Sequence, residues 1–596
     1  MELKKRADIP EELTWNTKDI FETEVKYNKT IESLVLKTRE FILKYSGKLD
    51  EASTIVQSYD DYSQLMEILD LVGNYAYLNY SVDMTDSENQ IRVGKAQVLQ
   101  GELLSKLSFY ESELLELDES VINNAMEINP KSAHMLKEIL RKKPYALDPK
   151  VEEAISAFSP TFDSFYGIYE TLKIADMTFP EFEVDGVKYP MSFVLHMNNY
   201  MFSTDTNVRR QAFQVVYKVL RQYENGLAAN YNAHVQLEKT ESKLRGYDSV
   251  IDFLLFSQNV DRDLYNRQID IIMDELAPIM RKYAKLIQKT HGLEKMTYAD
   301  LKVPLDSDFA PSVSIEEGWD YAKKALSVMG DEYLEHIKYA KENRWVDFAE
   351  NIGKSTGGFC ATPYGVHPYI LLSWTGLLSE VFTLVHELGH GVHFIMAQKE
   401  HGILNCEPSL YLIEAPSTCN EMLLTNYLKG QSDDKAFKRW VMTAMIENTY
   451  YHNFVTHLLE AHYQREVYYL VDKGETLNAD TLNSLKRATL EKFWGDAVEI
   501  EKGAELSWMI QPHYFMGLYP YTYSAGLTIS TVASQRILNE GQVAVNDWLA
   551  FLKAGGVMKP LEMARIAGVD ISTDKPLRET IAFIGEMVDE VIELSK

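Results

Sequence analysis

Apolar side chains recur at three- and four-residue spacing along most of the chain, with charged side chains between them. The pattern is clearest in residues 90–120 and returns in residues 205–240, 262–290, 316–340 and 436–472. On an α-helix this spacing places the apolar side chains on one face, so each segment is predicted to be helical. Pro and Gly are grouped at a few places, which leaves room for long helices. The fold is therefore predicted to be mainly α.

A short β hairpin is predicted near the end of the N-terminal helical region. Asp185-Gly186 stands between FEV and VKY, and an Asp-Gly pair flanked in this way is a strong hairpin signal. Residues 174–189 are therefore expected to form a small β unit that closes this region. A domain boundary after that unit divides the chain into an N-terminal helical region, residues 1–200, and a second domain, residues 201–596.

A second β region is predicted before the segment that carries the chemistry. Residues 345–350 and 367–373 are short and rich in β-branched or aromatic side chains, and a Gly-rich turn containing Gly357 and Gly358 separates them. Two interpretations stay open. The segments form an ordinary hairpin, or they present an exposed strand that pairs with an extended peptide through main-chain hydrogen bonds. In the second interpretation Gly357 and Gly358 lie against the bound peptide.

Composition limits the partners and the compartment. The formal net charge of −28 argues against nucleic acid and anionic membranes, because both require a basic surface. Cys360, Cys406 and Cys419 form no C-x-x-C pair and are odd in number, which is typical of reduced thiols in a cytosol. No signal peptide and no run of about 20 apolar residues is visible. The protein is expected to be soluble and cytoplasmic.

One motif points to catalysis. Residues 378–399 are apolar with helical spacing and contain His386-Glu387-Leu388-Gly389-His390. Four residues make about one helical turn, so both imidazoles project from one face within reach of a single ion. Neutral His nitrogens suit Zn²⁺, and Glu387 is placed to reach a water beside the metal. With 14 His in 596 residues, such a motif arises by chance in about one chain in twenty. We predict one zinc ion per chain.

Tetrahedral zinc with one open position needs a third protein ligand, and two candidates compete. His393 lies three residues past His390, but on an unbroken helix it is about 7 Å along the axis from the metal, which is too far for a ligand. Glu414 lies in YLIEAPSTCNEMLL and would come from a second helix packed against the first, so it is favoured, with His393 kept as a minor alternative. Glu421 is two turns further on and suits a carboxylate that orients a ligand His through its other ring nitrogen.

These motifs resemble a known family. HELGH followed by EAPSTCNE, with a His- and Tyr-rich segment downstream, is similar to the thimet oligopeptidase-like zinc metallopeptidases, most closely the oligoendopeptidase F group. The resemblance extends over nearly the whole chain, through RADIPEELTWNTKDIF, RGYDSVIDFLL and GDAVEIEKGAELSWMIQPHY. It implies that His386, His390 and Glu414 bind zinc and that Glu387 is the base. It also implies two helical lobes around a deep channel, and this channel would admit short peptides only. The residue pattern adds a small β-sheet or hairpin beside the zinc helix.

Further catalytic candidates lie in HYFMGLYPYTYSAG, which begins at His513. Tyr519, Tyr521 and Tyr523 follow at two-residue spacing among glycines and a proline, as in a mobile loop that presents phenol groups. Peptide hydrolysis requires donors directed at the oxyanion of the tetrahedral intermediate. In the resembling family a His and a Tyr from this region have that role, which implies His513 and, among the three tyrosines, favours Tyr523. Tyr519 and Tyr521 are kept as substrate-binding candidates, and an ordinary cleft lining is the alternative for each.

Other histidines are interpreted as packing residues. His452, His457 and His462 lie in a predicted long helix and do not have the spacing of two ligands on one face. The function predicted from the sequence is a zinc-dependent endopeptidase that cleaves short peptides by Glu387-assisted attack of a zinc-bound water on the peptide carbonyl. The alternative is an inactive helical protein that binds peptides on the same fold.

Overall fold

Helices make up 72% of the computed structural model, which confirms the mainly α prediction. The structure describes residues 4–162, 164–307, 309–355 and 357–596. Within these residues no helix is both long enough and apolar enough to cross a membrane.

Six helices of the N-terminal region pack around a hydrophobic core of their own. Leu34, Leu114 and Ile122 are almost fully buried in it, because helices with one apolar face exclude water by turning those faces together. The helices are α1 (Glu24–Tyr45), α2 (Ala52–Val82), α3 (Ser87–Leu107), α4 (Phe109–Glu116), α5 (Glu119–Ile128) and α6 (Ala133–Lys142).

The predicted hairpin follows three short helices and is confirmed. Strands β1 (Phe182–Val184) and β2 (Val187–Tyr189) pair antiparallel, and Asp185 and Gly186 between them have φ angles of 51° and 79°. Both angles are left-handed, as a two-residue hairpin turn requires. The helices before it are α7 (Pro149–Ala157), α8 (Ser159–Phe162) and α9 (Ser164–Glu170). The domain boundary placed after this hairpin stays a prediction.

The remaining helices share the largest core. They are α10 (Phe193–Asn198), α11 (Thr206–Leu244), α12 (Val250–Gln258), α13 (Arg262–Ile271), α14 (Ala277–Thr290), α15 (Ile315–Ala325), α16 (Asp331–Glu342), α17 (Ser379–Glu400), α18 (Ala415–Lys429), α19 (Lys435–Ala444), α20 (His457–Asp472), α21 (Ala479–Trp494), α22 (Pro520–Glu540), α23 (Gln542–Lys553), α24 (Pro560–Ile566) and α25 (Lys575–Leu594). One buried hydrophobic cluster extends from Tyr169 to Val591, so these helices form a single packed unit.

Four of the five segments predicted to be helical are interrupted. Residues 90–120 divide into α3, α4 and the start of α5, and residues 262–290 into α13 and α14 around a short π-helical stretch, Ile272–Leu276. Residues 316–340 divide into α15 and α16 at Gly330, whose φ of 81° breaks the helix. Residues 436–472 divide into α19 and α20, joined by a π-helical stretch, Met445–Thr456. Wider π turns rotate the side chains that follow, and such turns are frequent at functional sites.

A three-stranded sheet lies beside α17. The strands are β3 (Val346–Asp347), β4 (Phe359–Ala361) and β5 (Tyr369–Leu371), in the order β3-β5-β4. The two segments predicted as a hairpin, which contain β3 and β5, are instead parallel neighbours, while β4 from the Gly-rich turn pairs antiparallel with β5. The prediction of a simple hairpin is therefore wrong, and β4 is an edge strand of this sheet.

Glycine permits a very close approach of α17 to α18. A Cβ atom at Gly389 would lie 2.6 Å from Ser417 Cα and 2.7 Å from the Pro416 carbonyl oxygen, closer than any side chain tolerates. Gly526 of α22 has a similar role, since a Cβ there would lie 3.1 Å from Ala415 N. The three helices therefore meet backbone to backbone at one point, which is the start of α18.

Candidate active site

Helices α17 and α18 bring three ligand atoms together. His386 Nε2 and His390 Nε2 each lie 3.4 Å from Glu414 Oε2, and the two imidazole centroids are 5.0 Å apart. The three residues form a group whose ligand atoms all lie within 4.8 Å of one another. Two imidazole nitrogens and one carboxylate oxygen are the ligand set of many catalytic zinc sites.

Glu414 lies one residue before α18 rather than within it. Its backbone angles, −88° and −2°, are nearly helical, and Ser417 Oγ donates to Glu414 Oε2 at 3.0 Å. Burial alone would raise the pKa of this carboxyl, but the adjacent His390 and His386 outweigh burial and lower its pKa to about 2. The carboxylate is therefore ionised and held in place before any ion binds.

Glu421 orients His386, as the two-turn spacing predicts. His386 Nδ1 donates to Glu421 Oε1 at 2.6 Å, and Thr449 Oγ1 donates to the other oxygen of this carboxylate. With Nδ1 engaged, Nε2 faces the ligand group, which is the usual arrangement behind a metal-binding histidine. Burial opposes a charged imidazole, but the hydrogen bond and charge of Glu421 outweigh it and raise the pKa of His386 to about 10.

Glu387 projects toward the same cavity from the turn between the two histidines. Its side chain is almost completely buried, and burial raises its pKa while the neighbouring histidines lower it less strongly. A carboxylate with a raised pKa holds an abstracted proton more readily than a surface carboxylate does. Gly358 lies against it, since a Cβ atom at Gly358 would stand 3.4 Å from Glu387 Oε1.

His393 lies away from the ligand group. It is fully buried, stacks on Phe551 with ring centroids 6.0 Å apart, and has no hydrogen-bond partner for either ring nitrogen among the described residues. Burial lowers its pKa to about 3, so the ring is neutral. The structure therefore gives no support to His393 as the third ligand.

Tyr523 lines the cavity that contains the ligand group, and His513 lies next to Tyr523. His513 lies in a short 3₁₀ helix, Pro512–Phe515, and its Nδ1 is 3.3 Å from Glu460 Oε2. Tyr523 lies on α22 with its ring centroid 5.7 Å from that of His513 and stacked at 4.0 Å on His457. Burial raises the pKa of Tyr523, which keeps its phenol protonated and able to donate.

The tyrosines at two-residue spacing do not share one surface. The segment predicted as a mobile loop is the first turn of α22, where residues four apart share a face and residues two apart do not. Tyr519 and Tyr523 accordingly line the cavity. Tyr521 points into the core and donates to Gln258 Oε1 at 2.6 Å, so the substrate-binding role predicted for it is wrong.

The two glycines of the predicted substrate turn also separate. Gly358 lines the cavity beside Glu387. Gly357 has a φ of +86° and no atom within 4 Å of the position of a Cβ, so it faces open space outside the cavity lining. The peptide-contacting role predicted for Gly357 finds no support in this geometry.

Two cavities meet at this site. The first, of about 820 Å³, is lined by His386, Glu387, Glu414 and the strand β4. The second, of about 470 Å³, lies behind it, and the side chains of His452 and Tyr523 border both cavities. The deep channel implied by the family resemblance stays a prediction.

Sequence reasoning missed the group that supports His513. Glu460 is 2% exposed and accepts from His457 Nδ1 at 2.8 Å, and His457 Nε2 lies 3.0 Å from His452 Nε2. His452 and His457 were interpreted as packing residues, and their position beside Tyr523 was therefore missed. His462 instead bonds Thr489, away from the site. A signal was present, because a His followed three residues later by an acidic residue shares one helix face.

The fold and this site together define a helical metallopeptidase, with two histidines and a carboxylate converging beside a buried glutamate. Comparison with known proteins agrees. A model of peptidase family M3 matches residues 199–583, and a model described as oligopeptidase F matches residues 113–179. The chain belongs to peptidase family M3, and it is a metalloendopeptidase that acts on peptides.

Relatives and solved structures are similar over almost their whole length. Oligopeptidase PepF of Bacillus subtilis (strain 168) is 30% identical, over 100% of this chain and 89% of the relative. A Chlamydophila abortus protein described as a peptidase has a TM-score of 0.88 at 24% identity, with both chains covered completely. Oligoendopeptidase-F from Enterococcus faecium has a TM-score of 0.75 at 22% identity, covering 96% of this chain and 99% of its own. These two structures share the fold.

Proposed function

We propose that this chain is a zinc-dependent endopeptidase that hydrolyses short peptides. The observation that carries the proposal is the convergence of His386 Nε2, His390 Nε2 and Glu414 Oε2 beside the buried carboxylate of Glu387. A helical protein that only binds peptides has no need for this group, since three ligand atoms and a base are costly to bury without a reaction to catalyse. The inactive alternative is therefore not favoured.

The ligand group fits zinc. It offers two imidazole nitrogens and one carboxylate oxygen, and Glu421 holds the Nδ1 of His386 so that Nε2 is available. Three protein ligands leave a fourth tetrahedral position open, which distinguishes catalytic from structural zinc sites. When bound, the ion supplies Lewis acidity to a water and to the peptide carbonyl.

Glu387 acts as the general base and then as the general acid. It takes a proton from the attacking water, and it delivers that proton to the amine that leaves when the peptide bond breaks. Burial supports this assignment, because it raises the pKa of Glu387 toward the range in which both steps are favourable. Gly358 leaves room beside this carboxylate for the substrate, since any side chain there would crowd it.

His513 and Tyr523 stabilise the oxyanion. Tyr523 lines the cavity that holds the ligand group, and the 5.7 Å between its ring centroid and that of His513 lets both donate to one oxygen atom. Glu460 accepts from His513 Nδ1, so Nε2 can also donate to the oxyanion when both ring nitrogens carry a proton. Preorganised donors of this kind often contribute ~3 kcal/mol to the transition state.

The edge strand β4 is suited to hold an extended peptide. It pairs with β5 on one side only, and Phe359 and Cys360 line the larger cavity. A peptide added at a strand edge is fixed through main-chain hydrogen bonds, which do not depend on its sequence. This supports the substrate-binding interpretation of the β region, with Gly358 and not Gly357 at the contact.

The proposal is tested with quenched fluorescent peptides of graded length, with and without a chelator. We expect hydrolysis of short peptides, loss of activity after chelation, recovery on adding zinc, and a steep fall in rate with peptide length. Chelator-resistant hydrolysis, or equal rates on short peptides and folded proteins, would contradict it. A cytoplasmic location and the absence of nucleic acid and membrane partners stay predictions.

A further inference from the structure

The second cavity has a composition unlike the rest of the molecule. It has a volume of about 470 Å³ and lies behind the wall formed by His452 and Tyr523. Its basic lining residues are Arg209, Lys302 and Lys486, whereas the only carboxylate among its described lining residues is Glu460. A chain with a net charge of −28 thus surrounds an interior space in which cations predominate.

Two of these four charged groups already have close polar partners. Arg209 is paired with Asp300 at 2.6 Å. Glu460 is engaged by His457 Nδ1 at 2.8 Å and by His513 Nδ1 at 3.3 Å. The two ammonium groups of Lys302 and Lys486 remain.

Neither lysine forms an ion pair within the part of the chain that the structure describes. Lys302 Nζ lies 4.1 Å from the centroid of the Tyr451 ring and donates one long hydrogen bond, 3.4 Å, to Thr456 Oγ1. Lys486 is 4% exposed, and its Nζ lies 5.5 Å from the centroid of the Tyr463 ring. Aromatic faces partly stabilise a cation, but they do not use the hydrogen-bond donors of an ammonium group.

Two further polar atoms on this lining lack partners. His196 Nδ1 and Ser507 Oγ are buried and have no hydrogen-bond partner among the described residues. Buried polar atoms are normally satisfied, so several unsatisfied groups around one cavity indicate a missing ligand. Donors predominate among them, and a donor-rich, positively charged pocket selects an anion with several acceptor oxygens.

We propose that this cavity binds a carboxylate group carried by a peptide substrate. The inference rests on the proposed function, because this cavity shares Tyr523 and His452 with the cavity that holds the ligand group, so that one peptide could extend into both. A volume of 470 Å³ lies in the range of small-ligand pockets, roughly 300–1,000 Å³, and so accommodates a short peptide end. The carboxylate belongs either to the C-terminus of the peptide or to an acidic side chain.

A carboxylate bound here fixes the length of peptide between this cavity and the ligand group. One end of the peptide is fixed by Lys302 and Lys486, and the scissile bond must then lie at the ligand group on the other side of Tyr523. Cleavage would occur at a set distance from that end. The anchor therefore gives a physical reason for preferring short peptides that is independent of how wide the channel entrance is.

The test compares three peptides of one sequence in the zinc-loaded enzyme: a free acid, a C-terminal amide, and an amide whose last residue is Glu. We expect KM for the free acid to be roughly 10- to 100-fold below KM for the plain amide, with little change in kcat. A low KM for the Glu-containing amide alone would support the carboxylate site and assign it to side chains. Equal KM values for all three peptides would overturn the inference.

Variants locate the effect. Lys486→Met is expected to remove most of the difference between acid and amide, and Lys302→Met to reduce it, while hydrolysis of the amide continues. Lys492→Met, on the outer face of the same helix α21, is the matched control and should keep the full difference. If Lys486→Met slows acid and amide peptides equally, the inference fails. If no peptide is hydrolysed by the zinc-loaded wild type, the proposed function fails instead, so the two failures are distinguishable.

Discussion

At the residue scale, the site depends on how each polar side chain is held by a partner. Glu421 holds His386, Ser417 holds Glu414, and Glu460 holds His513. Each partner is fixed on a helix or next to one, so the reactive atoms are positioned before a substrate arrives. Preorganisation of this kind removes the cost of reorganising polar groups during the reaction.

Glu387→Gln is expected to keep zinc and to lose peptide hydrolysis by about 10²–10⁴-fold. The amide has nearly the same shape as the carboxylate but cannot accept the proton of the attacking water. Zinc content and kcat/KM on a short quenched peptide measure the two effects separately. Glu400→Gln, at the exposed end of the same helix, is the control. Wild-type rates in metal-loaded Glu387→Gln would remove Glu387 from the mechanism.

Glu414→Ala is expected to weaken zinc retention strongly, whereas His393→Ala is expected to retain zinc. The reason is geometric, because Glu414 Oε2 lies 3.4 Å from both ligand nitrogens and His393 stacks on Phe551 in the core. Zinc competition with a chromophoric chelator ranks the two variants. The reverse ranking would reassign the third ligand.

Zinc binding is expected to tighten as the pH rises from about 6 to about 8. Burial favours the neutral imidazole, but Glu421 outweighs it and holds the pKa of His386 at about 10, so a proton must leave before Nε2 can bind the ion. Each unit of pH then changes the affinity by up to about 10-fold. Glu421→Gln should flatten this dependence and weaken binding by about 10–100-fold, as the ring loses its orientation. A steep dependence retained in Glu421→Gln would contradict this account.

Helix geometry explains which site residues the sequence could predict. His386, His390 and Glu421 follow from spacings of four and seven residues, and spacing within a helix fixes relative position. The local spacing of His457 and Glu460 marks that pair, but the contact of Glu460 with His513 spans 53 residues of chain and is encoded by no local pattern. Tyr521 was placed wrongly because two-residue spacing was interpreted as a loop, whereas on α22 it turns alternate side chains away from each other.

At the element scale, the contact between α17 and α18 depends on a single missing side chain. Gly389→Ala is expected to push the helices apart, since its Cβ would lie 2.6 Å from Ser417 Cα. Overpacking of this kind typically costs about 1–3 kcal/mol, and here it also moves Glu414 from the histidines, so zinc affinity should fall.

Gly226→Ala in the middle of α11 is the matched control for Gly389→Ala. No atom lies within 4 Å of the position of its Cβ, so a methyl group meets nothing. Alanine in an exposed helix interior should instead stabilise the fold by about 0.5–1 kcal/mol. Chemical denaturation and zinc titration measure both variants. Equal zinc affinity in Gly389→Ala and wild type would show that the close contact does not position Glu414.

Elements were predictable where one local rule governs them. The helical segments and the Asp185-Gly186 hairpin follow from apolar spacing and turn chemistry, and the structure contains both. The π-helical stretch Met445–Thr456 and the parallel pairing of β3 with β5 were not predictable. Both are set by packing between distant parts of the chain, which overrides local propensity.

At the scale of the whole molecule, a chain with a large negative net charge places two lysines beside an interior cavity. Lys486→Met is expected to raise the free energy of unfolding of the substrate-free protein by about 1–3 kcal/mol, because burial of an unpaired cation is costly. Burial lowers the pKa of Lys486 to about 8, whereas the unfolded chain keeps the ordinary value of 10.5. The cost is therefore complete below pH 8 and disappears as the pH rises toward 10.5, so the gain from Lys486→Met should shrink over that range.

Denaturation of wild type and Lys486→Met at several pH values measures this difference. A variant less stable than wild type at pH 7 would show that Lys486 supports the fold and is not kept at a cost to stability. Such a cost is common where a group is retained for binding and not for packing.

The central strand β5 also joins two parts of the protein that sequence patterns treat as separate. Tyr369 and Leu371 pack with the N-terminal segments, while Ile370 and Leu372 between them pack into the catalytic core. Alternate side chains of one short strand are thus shared by two neighbours. Removing the N-terminal segments would expose the apolar side chains of Tyr369 and Leu371 to water, on the strand that pairs with β4. The N-terminal segments are therefore expected to be required for a stable catalytic domain, because they cover one face of its sheet.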